Sequence, residues 1–438
     1  MNFTFEHAVN LIDNLERFGI NPSLNSIKKL CKVLKNPQDK FPSIHVVGTN
    51  GKTSTTRFIA KILCSFKGSF GAYISPHIKS YTERFLICEK EITENRFAEV
   101  ASFIDRAVSS LTKTDPLIQT TQFEFLTAMA FKYFEQERVR GAVFEAGMGG
   151  RWDATNAASS RVVVFMPIGL EHCKILGNTV KQIAGEKAGI INSGSDVILM
   201  SKDHDVINIV KKKCRQTSSR LFVFYKDFSI KKEELFEDYY YISFLSQFFE
   251  KISFETDNPG FQNENLLAAA MASALFLKSI PPNFNDIIGN VARQLRIGGR
   301  FEIISRNPLV ILDGGHNPQA IRTLVDELKS VRIKGKKYVI FAAFNDKDAT
   351  SMIISLLECA DHFIFTSSNN KRSFTPYELL DIYKKLYTGN VIKLENDHSV
   401  FEDIETALIE TLKVARPADA VIVTGSIANI GPAKEFLC

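Results

Sequence analysis

Residues 45–56 carry the sequence "HVVGTNGKTSTT", which joins a short apolar run at 43–48 to a segment with helical spacing. A glycine-rich turn between a buried strand and a helix points several backbone N–H groups at one spot. The helix N-terminus adds partial positive charge there, so such a turn binds phosphate. An ordinary tight strand-to-helix turn is the alternative, but Gly-Lys-Thr in this context favours a phosphate-binding loop.

The glycine spacing of this loop is unusual. The common phosphate-loop pattern places four residues between its first Gly and the Gly-Lys pair, whereas two residues separate Gly48 from Gly51 here. Lys52 would reach the β and γ phosphates of a nucleotide, and the Thr53 hydroxyl would bind Mg²⁺. The loop therefore predicts a nucleotide site without identifying the reaction.

The composition is typical of a globular protein with two domains. A chain of 438 residues exceeds one ordinary core, and 45% hydrophobic and 24% charged residues are globular values. A net charge of +5 suits anionic small-molecule substrates. The sequence has no long basic run with interleaved aromatic residues, so we expect no nucleic-acid partner.

Targeting and redox patterns predict a cytoplasmic protein. No run of the sequence approaches the apolar length of a membrane span, so we expect no membrane partner. Residues 1–20 have an amphipathic pattern with acidic residues, unlike a signal or transit peptide. Seven cysteines, an odd number without a CxxC pair, predict reduced thiols.

Apolar runs that alternate with helical segments predict an α/β fold. In the first part of the chain we predict buried strands at 43–48, 140–147, 161–169 and 195–200, and helices at 93–111, 122–136 and 179–190. This alternation implies a P-loop-type, mostly parallel sheet that is covered on both faces. The aromatic, alternating segment 221–256 predicts a small antiparallel extension, and helices follow at about 262–279 and 284–293.

The segment "RIGGRFEII" at 296–304 predicts a hinge, after which the α/β alternation restarts. We predict strands in "PLVILDGG", "KYVIFAAF", "DHFIFT", "NVIKL" and "AVIVTGS", and helices at 317–330, 348–358, 375–386 and 400–414. The predicted domains are 1–296 and 297–438, the second a Rossmann-like doubly wound domain. Ligands of such sheets bind beyond the carboxyl ends of the strands, where Asp313, Asn345 and Ser426 lie.

Glu145 is the first candidate metal ligand. In "VFEAGMGGRWDATN" it lies at a predicted strand end, directly before a glycine-rich turn. A carboxylate in so apolar a run is unfavourable unless it is paired or bound to metal, which favours a metal ligand over a turn cap. Asp153, in the same stretch, either contacts substrate or caps the next turn.

The segment 167–191 contains two further candidates, His172 and Lys187. A lone histidine is more often structural and Mg²⁺ prefers oxygen ligands, so spacing alone favours a structural His172. Lys187 is an unfavourable metal ligand because an ammonium repels a cation. Carbamylation by CO₂ would supply oxygens and reverse the charge, but the residues alone do not predict it.

The second domain contains "ILDGGHNPQA", which places Asp313 at a strand end and His316 at a helix entry. Asn317 followed by Pro318 is typical of an N-cap with proline at the first helical position. Arg300 follows two glycines at the hinge. It is either a phosphate partner, if the two domains close, or a solvated linker charge.

Nine stretches follow one another between residues 48 and 318, within a resemblance that runs from about residue 5 to the C-terminus: "GTNGKTS", "SPHIKSYTERF", "TTQFEFLTAMAF", "FEAGMGGRWDATN", "EHCKILG", "GEKAGII", "GFQNENLLAA", "GGRFEII" and "DGGHNP". As a set they resemble the Mur ligase superfamily, in its bacterial folylpolyglutamate synthase and dihydrofolate synthase branch. The short spacing of the phosphate loop is the normal form in that family. The resemblance implies an ATP-dependent carboxylate–amine ligase.

The resemblance also implies a reaction sequence. ATP phosphorylates a carboxylate of a pterin acid or folate, and the amino group of L-glutamate attacks the acyl phosphate to give an amide, ADP and phosphate. A carboxylate is a poor electrophile that phosphorylation activates, so positioning and charge neutralisation would supply most of the catalysis. Because ATP would contact both domains, domain closure should accompany catalysis.

Individual roles are carried over by resemblance, position by position. Thr53 and Glu145 would hold one Mg²⁺, and Glu145, His172 and a carbamylated Lys187 would hold a second. The implied catalytic residues are Lys52, Glu145, His172, Lys187 and His316. The implied ATP contacts are Gly48, Thr49, Asn50, Gly51, Lys52, Thr53, Ser54, Asn265, Arg300 and Asp313. The implied substrate contacts are Ser75, His77, Arg84, Thr121, Phe123, Asp153 and Ser426.

Three features depart from the family pattern. Trp152 stands where a small aliphatic residue is common, and would reshape the pterin side of the pocket. Gly315 replaces a usual alanine. The bulky and aromatic residues that usually follow the Thr-Gly-Ser at 424–426 are missing, so the glutamate-side contacts stay undefined.

Other functions remain as alternatives. One alternative is an enzyme that only polyglutamylates folates. Another is a Mur-type ligase of cell-wall synthesis, although such members generally carry a distinct third domain. A P-loop NTPase switch would hydrolyse nucleotide without a carboxylate substrate, and the "DGGHNP" site disfavours it. An inactive relative is disfavoured because the following residues are intact: Lys52, Thr53, Glu145, His172 and Lys187. By resemblance we expect a monomer.

Overall fold

The apolar runs in the first half of the chain pair side by side in one twisted sheet. Within the described residues its strands are β1 Ser43–Val47, β2 Phe70–Tyr73, β3 Phe85–Ile87, β4 Lys90–Glu91, β5 Gly141–Glu145, β6 Ser160–Phe165, β7 Asp196–Leu199 and β8 Arg220–Val223. Their order in space is β4-β3-β2-β5-β1-β6-β7-β8. The β2–β3 and β3–β4 pairings are antiparallel, and the other pairings are parallel.

The structure, a computed structural model, describes residues 3–15, 23–66, 68–236, 239–368, 370–388 and 397–437. It divides into two units. The first comprises Met1–Asn258 and Gln262–Leu295, and the second Pro259–Phe261 and Arg296–Cys438. We describe each unit by itself.

Helices cover both faces of the first sheet. They are α1 Phe5–Asp13, α2 Asn25–Val33, α3 Lys52–Cys64, α4 Glu94–Thr114, α5 Gln122–Gln136, α6 Cys173–Leu176, α7 Val180–Ala188, α8 His204–Gln216, α9 Gln262–Leu277 and α10 Phe284–Gln294. Successive side chains of a strand point to opposite faces. Phe144 of β5 packs in an apolar cluster with residues of α4 and α5. Helices α3 and α9 pack against each other and against strands of the same sheet.

A small antiparallel sheet follows the main sheet, as the aromatic alternation predicted. Its strands are β9 Phe228–Leu235, β10 Tyr240–Ser246 and β11 Phe249–Thr256, in the order β11-β10-β9. One part of that prediction was wrong, because residues 220–223 form β8 and pair parallel with β7. The run is too short for its alternation to distinguish an edge strand of a parallel sheet from a hairpin strand.

The second unit has a six-stranded sheet within the described residues. Its strands are β12 Glu302–Arg306, β13 Leu309–Leu312, β14 Lys337–Phe341, β15 His362–Phe365, β16 Asp397–Val400 and β17 Ala420–Thr424. Their order is β12-β13-β17-β14-β15-β16, and only β12 joins antiparallel. The helices are α11 Pro318–Ser330, α12 Ala349–Leu356, α13 Pro376–Thr388, α14 Ile404–Val414 and α15 Ile430–Leu437.

The predicted fold class is confirmed, with a mostly parallel sheet, a small antiparallel extension and a second doubly wound sheet. The predicted strand "NVIKL" at 390–394 lies outside the described residues. Among the described helices, none combines the length and apolar character that crossing a membrane requires.

The prediction of reduced thiols is wrong for one pair. Cys64, at the end of α3, and Cys88, in the turn between β3 and β4, form a disulfide with their Cα atoms 5.7 Å apart. They are 24 positions apart in the sequence, so no local spacing signals the pairing. Cysteines 31, 173, 214 and 359 are free.

Candidate active site

The phosphate loop lies where β1 ends and α3 begins. Gly51 is the N-cap of α3 and has φ +80°, a left-handed conformation that glycine adopts without strain. The Lys52 amine donates to the carbonyl oxygens of Gly48 at 3.0 Å and Thr49 at 3.1 Å. The lysine therefore lies over the loop that would bind phosphate. Ser54 is buried in the first turn of α3, and Asn50 completes the loop.

Asn265 of α9 lies beside this loop. A Cβ atom added to Gly51 would lie 2.5 Å from Asn265 Oδ1. The Asn265 amide donates to Gln262 Oε1 at 2.8 Å, which fixes its orientation. The structure thus brings together two predicted ATP contacts that are more than 200 positions apart in the sequence.

We predict that Gly51→Ala weakens ATP binding roughly tenfold or more and lowers the free energy of unfolding by about 1–3 kcal/mol. The new methyl group would collide with Asn265, and alanine disfavours φ +80°. Equilibrium dialysis with ATP and urea unfolding measure the two effects. Gly185→Ala is the matched control, because a Cβ there meets nothing within 4 Å in the interior of α7. It should leave ATP affinity unchanged, and equal ATP affinity in both variants would contradict the prediction.

Glu145, at the end of β5, contacts Thr53 directly. The Thr53 hydroxyl lies 2.9 and 3.0 Å from the two carboxylate oxygens. The backbone N–H of Ser75, after β2, donates to the same carboxylate at 3.1 Å. Glu145 is 1% exposed. Three neighbouring elements thus hold a buried carboxylate beside the first turn of α3.

This hydroxyl–carboxylate pair fits Mg²⁺. A hard divalent cation prefers oxygen ligands, and Mg²⁺ is usually held by one or two protein oxygens together with water and phosphate oxygens. Thr53 and Glu145 supply such oxygens at the position next to the phosphate loop. No cluster of three or more histidine, cysteine, aspartate or glutamate residues suited to a metal occurs among the residues with described positions.

Lys187 is buried in an ion pair that the sequence did not reveal. Its amine donates to Glu171 Oε1 at 2.6 Å and to the Gly48 carbonyl at 2.9 Å. Burial alone would raise the pKa of Glu171, but the positive charges of Lys52 and Lys187 outweigh it and lower that pKa to about 2. Burial lowers the pKa of Lys187, against the attraction of Glu171. Glu171 therefore stays ionised and tethers Lys187 under the phosphate loop.

His172 follows Glu171 and is the N-cap of α6, with φ 48°. The same β6–α6 connection is joined to the phosphate loop through Thr49. Thr49 N donates to the Pro167 carbonyl at 2.9 Å, and Gly169 N donates to Thr49 Oγ1 at 2.9 Å. His172 lies on this connection. Its role as a metal ligand stays a prediction.

The connection after β2 carries Ser75, His77 and Arg84. Arg84 Nε donates to His77 Nδ1 at 2.9 Å, and its guanidinium lies 5.2 Å from the Tyr81 ring centre. Burial and the Arg84 charge lower the pKa of His77 to about 3. The His77 ring is therefore neutral and acts as an acceptor for Arg84.

Thr121, Phe123 and Asp153, which the family resemblance predicts to lie on the pterin side, come from the start of α5 and the turn after β5. Thr121 is the N-cap of α5. The Phe123 ring lies against Gly147, where an added Cβ would be 2.6 Å from Phe123 Cζ. Asp153 is 5% exposed and caps the 3₁₀ turn 154–157, so the capping alternative holds for its side chain in this structure. Burial raises the pKa of Asp153 above its ordinary value.

The second unit brings Arg300 and Asp313 together. Asp313 follows β13 and accepts from the N–H groups of Phe301 at 2.9 Å and Gly315 at 2.8 Å. Burial raises its pKa, and the Arg300 charge opposes that shift. His316 Nδ1 lies 3.0 Å from the Gly314 carbonyl.

Two further residues of the second unit cap helical turns. Asn317 caps α11 with Pro318 at its first turn, as the sequence predicted. Ser426 accepts from Ala428 N at 3.2 Å, which makes it the cap of a short 3₁₀ turn after β17.

Sequence reasoning missed Glu171 and His45. Glu171 directly precedes His172 in "EHCKILG". The available signal was Lys187, 16 positions later, because a buried lysine needs a nearby carboxylate to neutralise its charge. His45 is 0% exposed within an otherwise apolar strand, and a histidine inside a buried-strand pattern was the available signal there.

The geometry defines a class of protein. A parallel strand, a glycine-rich turn, a helix N-terminus and an adjacent hydroxyl–carboxylate pair form a P-loop nucleotide site, and a second doubly wound sheet follows it in the chain.

Comparisons with known proteins agree with this class. Residues 46–273 match the Mur ligase middle domain, and residues 299–427 match the Mur ligase glutamate ligase domain. The dihydrofolate synthase/folylpolyglutamate synthase of Bacillus subtilis is 29% identical, covering 99% of both chains. The folylpolyglutamate synthase of Lacticaseibacillus casei is 32% identical, covering 80% of this chain and 82% of its own. A solved folylpolyglutamate synthase–AMPPCP–folate complex aligns with a TM-score of 0.83 at 26% identity, covering 99% of both chains.

The chain belongs to the Mur ligase family, and within it to the folylpolyglutamate synthase/dihydrofolate synthase branch. It is an ATP-dependent ligase of folate metabolism, as its family and its phosphate loop require. The resemblance seen in the sequence is confirmed.

Proposed function

We propose that this protein joins L-glutamate to dihydropteroate and to reduced folates, with ATP converted to ADP and phosphate through an acyl-phosphate intermediate. The observation that carries the proposal is the contact of Thr53 with the buried Glu145 carboxylate beside the phosphate loop, at 2.9 Å. The bifunctional name of the Bacillus subtilis relative and the folate in the solved complex support the substrate class.

The loop residues would serve phosphoryl transfer by position and charge. The Lys52 amine, now on the Gly48 and Thr49 carbonyls, would turn to the phosphates of bound ATP. The N–H groups at the start of α3 would face the same phosphates. When bound, Mg²⁺ held by Thr53 and Glu145 would neutralise phosphate charge. Asn265, next to Gly51, would fix the nucleotide on the α9 side.

The pterin-side residues would receive the acid that is phosphorylated. Phe123 lies against the glycine-rich turn after β5, and the Asp153 carboxylate holds that turn in shape. Ser75, through its bond to Glu145, and the His77–Arg84 pair on the same connection would lie beside the reacting carboxylate. Trp152 is 48% exposed next to Asp153 and would set the shape of the acceptor pocket.

Further roles are proposed by family resemblance. Arg300 and Asp313 would contact ATP, His316 would act on its phosphates, and Ser426 would serve L-glutamate. The part of the chain up to residue 296 would bind ATP, and residues 297–438 would form the glutamate ligase domain. A second Mg²⁺ would lie between Glu145, His172 and a carbamylated Lys187. The protein would act as a cytoplasmic monomer, where ATP and folates are available.

The runner-up function is folylpolyglutamate synthesis alone. The observation that favours it is Trp152, a large ring that is 48% exposed, at a position where the family resemblance leads us to expect a small aliphatic residue.

ADP release with ATP, Mg²⁺ and L-glutamate distinguishes these functions. We expect that either dihydropteroate or tetrahydrofolate stimulates release, with one glutamate joined by an amide bond for each ADP. Stimulation by tetrahydrofolate alone would identify the runner-up, and Trp152→Ala should then admit dihydropteroate. ADP release without any acceptor would instead indicate an NTPase and contradict the proposal.

A further inference from the structure

A file of buried polar side chains crosses the otherwise apolar sheet core of the first unit. It runs from Ser43 on β1 to Ser160 at the start of β6, returns to His45 on β1, and continues to Thr155 and Asp153 in the turn after β5. None of the five is more than 5% exposed, and His45 and Thr155 are 0% exposed. Ile44, Val46 and Val47, on the same strand, are fully buried apolar residues. A buried polar group in such a strand is unfavourable unless each of its atoms is paired.

Every polar atom of the His45 ring is paired, and the partners fix the positions of the protons. His45 Nε2 lies 2.9 Å from the Thr155 carbonyl oxygen, which can only accept, so Nε2 carries the hydrogen. His45 Nδ1 is then the acceptor for the Ser160 hydroxyl. The Ser43 hydroxyl in turn donates to Ser160 Oγ at 2.9 Å. The donated bonds therefore run in one direction, from Ser43 through Ser160 and His45 to the Thr155 carbonyl.

The same order requires a neutral ring. Burial lowers the pKa of His45 to about 4, although its bond to the Thr155 carbonyl works in the opposite direction. At neutral pH the ring therefore keeps one N–H and one acceptor nitrogen. Both atoms are used in the structure.

The file ends on the turn that carries a pterin-side residue. Thr155 donates to Asp153 Oδ1 through its N–H at 3.0 Å and its hydroxyl at 2.6 Å. Met148 N donates to Asp153 Oδ2 at 2.9 Å, which closes the glycine-rich turn after β5. His45 lies three positions before Gly48, the first glycine of the phosphate loop. One side chain thus connects the strand of the phosphate loop to the turn that faces Phe123.

We propose that His45 is a positioning residue that sets the Asp153–Thr155 turn, and with it the acceptor-acid pocket, in register with the phosphate loop. The proposal rests on the function proposed above, since the acceptor acid is the substrate that this turn would meet. An aliphatic residue would fill the same space in a parallel strand, whereas a fully paired ring gives one defined spacing between the two segments. Attack of a carboxylate on ATP needs that spacing, because small misplacements of reacting groups reduce rates steeply.

Three substitutions separate the two ring contacts. His45→Gln places an amide N–H at about the reach of Nε2, whereas His45→Asn reaches only the Ser160 side and His45→Leu has neither contact. We expect the KM for dihydropteroate to rise roughly tenfold or more in the Asn and Leu variants. His45→Gln should stay within about threefold of the unmodified protein. ATP affinity should stay within about twofold in all three, because Lys52, Thr53 and Glu145 are untouched.

A strand control distinguishes positioning from a general loss of stability. Ile44→Ala removes a fully buried neighbour on β1 without touching the file. It should lower the melting temperature but leave unchanged the ratio of the KM for dihydropteroate to the Kd for ATP. If Ile44→Ala shifts that ratio as His45→Leu does, the positioning role is wrong.

Hydrogen exchange tests the same claim without any substrate. The amides of residues 148–158 should exchange faster in His45→Leu and His45→Asn and normally in His45→Gln and Ile44→Ala. Unchanged exchange in His45→Leu would overturn the inference, even with the acceptor acid still unidentified. No turnover of dihydropteroate by the unmodified protein would instead overturn the proposed function, and the exchange result would still decide the role of His45.

Discussion

Glu145→Gln should lower the rate of ligation on the order of 10²- to 10³-fold while the protein stays folded. The amide keeps the shape of the side chain and can still accept from Thr53 and Ser75 N, so the local packing should survive. It loses the negative charge that would hold Mg²⁺ beside the phosphates. The loss should therefore appear in kcat and in the Mg²⁺ concentration needed for half-maximal activity.

Steady-state assays over a range of Mg²⁺ concentrations measure both effects. Glu145→Asp should show a smaller loss and a higher Mg²⁺ requirement, because the charge is present but withdrawn from Thr53. Glu135→Gln is a carboxylate control on α5, where the side chain pairs with Lys132 at 2.6 Å. More than a tenth of normal activity in Glu145→Gln at unchanged Mg²⁺ dependence would refute the metal role.

Lys187→Ala should lower turnover on a similar scale, roughly 10²-fold or more, and also destabilise the fold. Lys187 is 2% exposed and lies 2.6 Å from the Glu171 carboxylate. Removing one partner of a buried ion pair costs about 3–5 kcal/mol in the free energy of unfolding, and the Lys52 charge, which also acts on Glu171, should place the loss at the lower end of that range. The Gly48 carbonyl also loses one of its two lysine donors, so the phosphate loop should loosen.

The double variant Lys187→Met with Glu171→Gln separates stability from catalysis. It removes both charges, so it should recover most of the unfolding free energy but not the turnover. Added formate or acetate should partly restore Lys187→Ala if a carbamate is the active form, and should do nothing if the ammonium is. Near-normal turnover in Lys187→Ala would show that neither form takes part.

The phosphate loop was predictable because its determinants are local. A buried run, two glycines and Gly-Lys-Thr are contiguous, and the strand–turn–helix they specify is the one observed from β1 to α3. Glu145 was predictable for a related reason. Parallel strands place their carboxyl ends at one edge of a sheet, so a carboxylate at the end of β5 comes close to Thr53 once β5 pairs with β1.

Other features depend on contacts between distant segments. The Lys187–Glu171 ion pair forms because a side chain of α7 and one of the β6–α6 connection point toward each other. The Cys64–Cys88 disulfide forms because the β3–β4 hairpin packs against the end of α3. Strands as short as β3 and β4 are not specified by their own residues. For Asp153 the sequence left two alternatives equal, and the structure shows the side chain used as a cap.

Transfer of ¹⁸O from the acceptor acid to phosphate tests the central claim most directly. Dihydropteroate labelled in its carboxylate is incubated with ATP, Mg²⁺, L-glutamate and the protein, and the released phosphate is analysed by mass spectrometry. An acyl-phosphate intermediate predicts one ¹⁸O in each phosphate, with amide and ADP formed in equal amounts. Phosphate that carries no label, with amide still formed, would contradict the account.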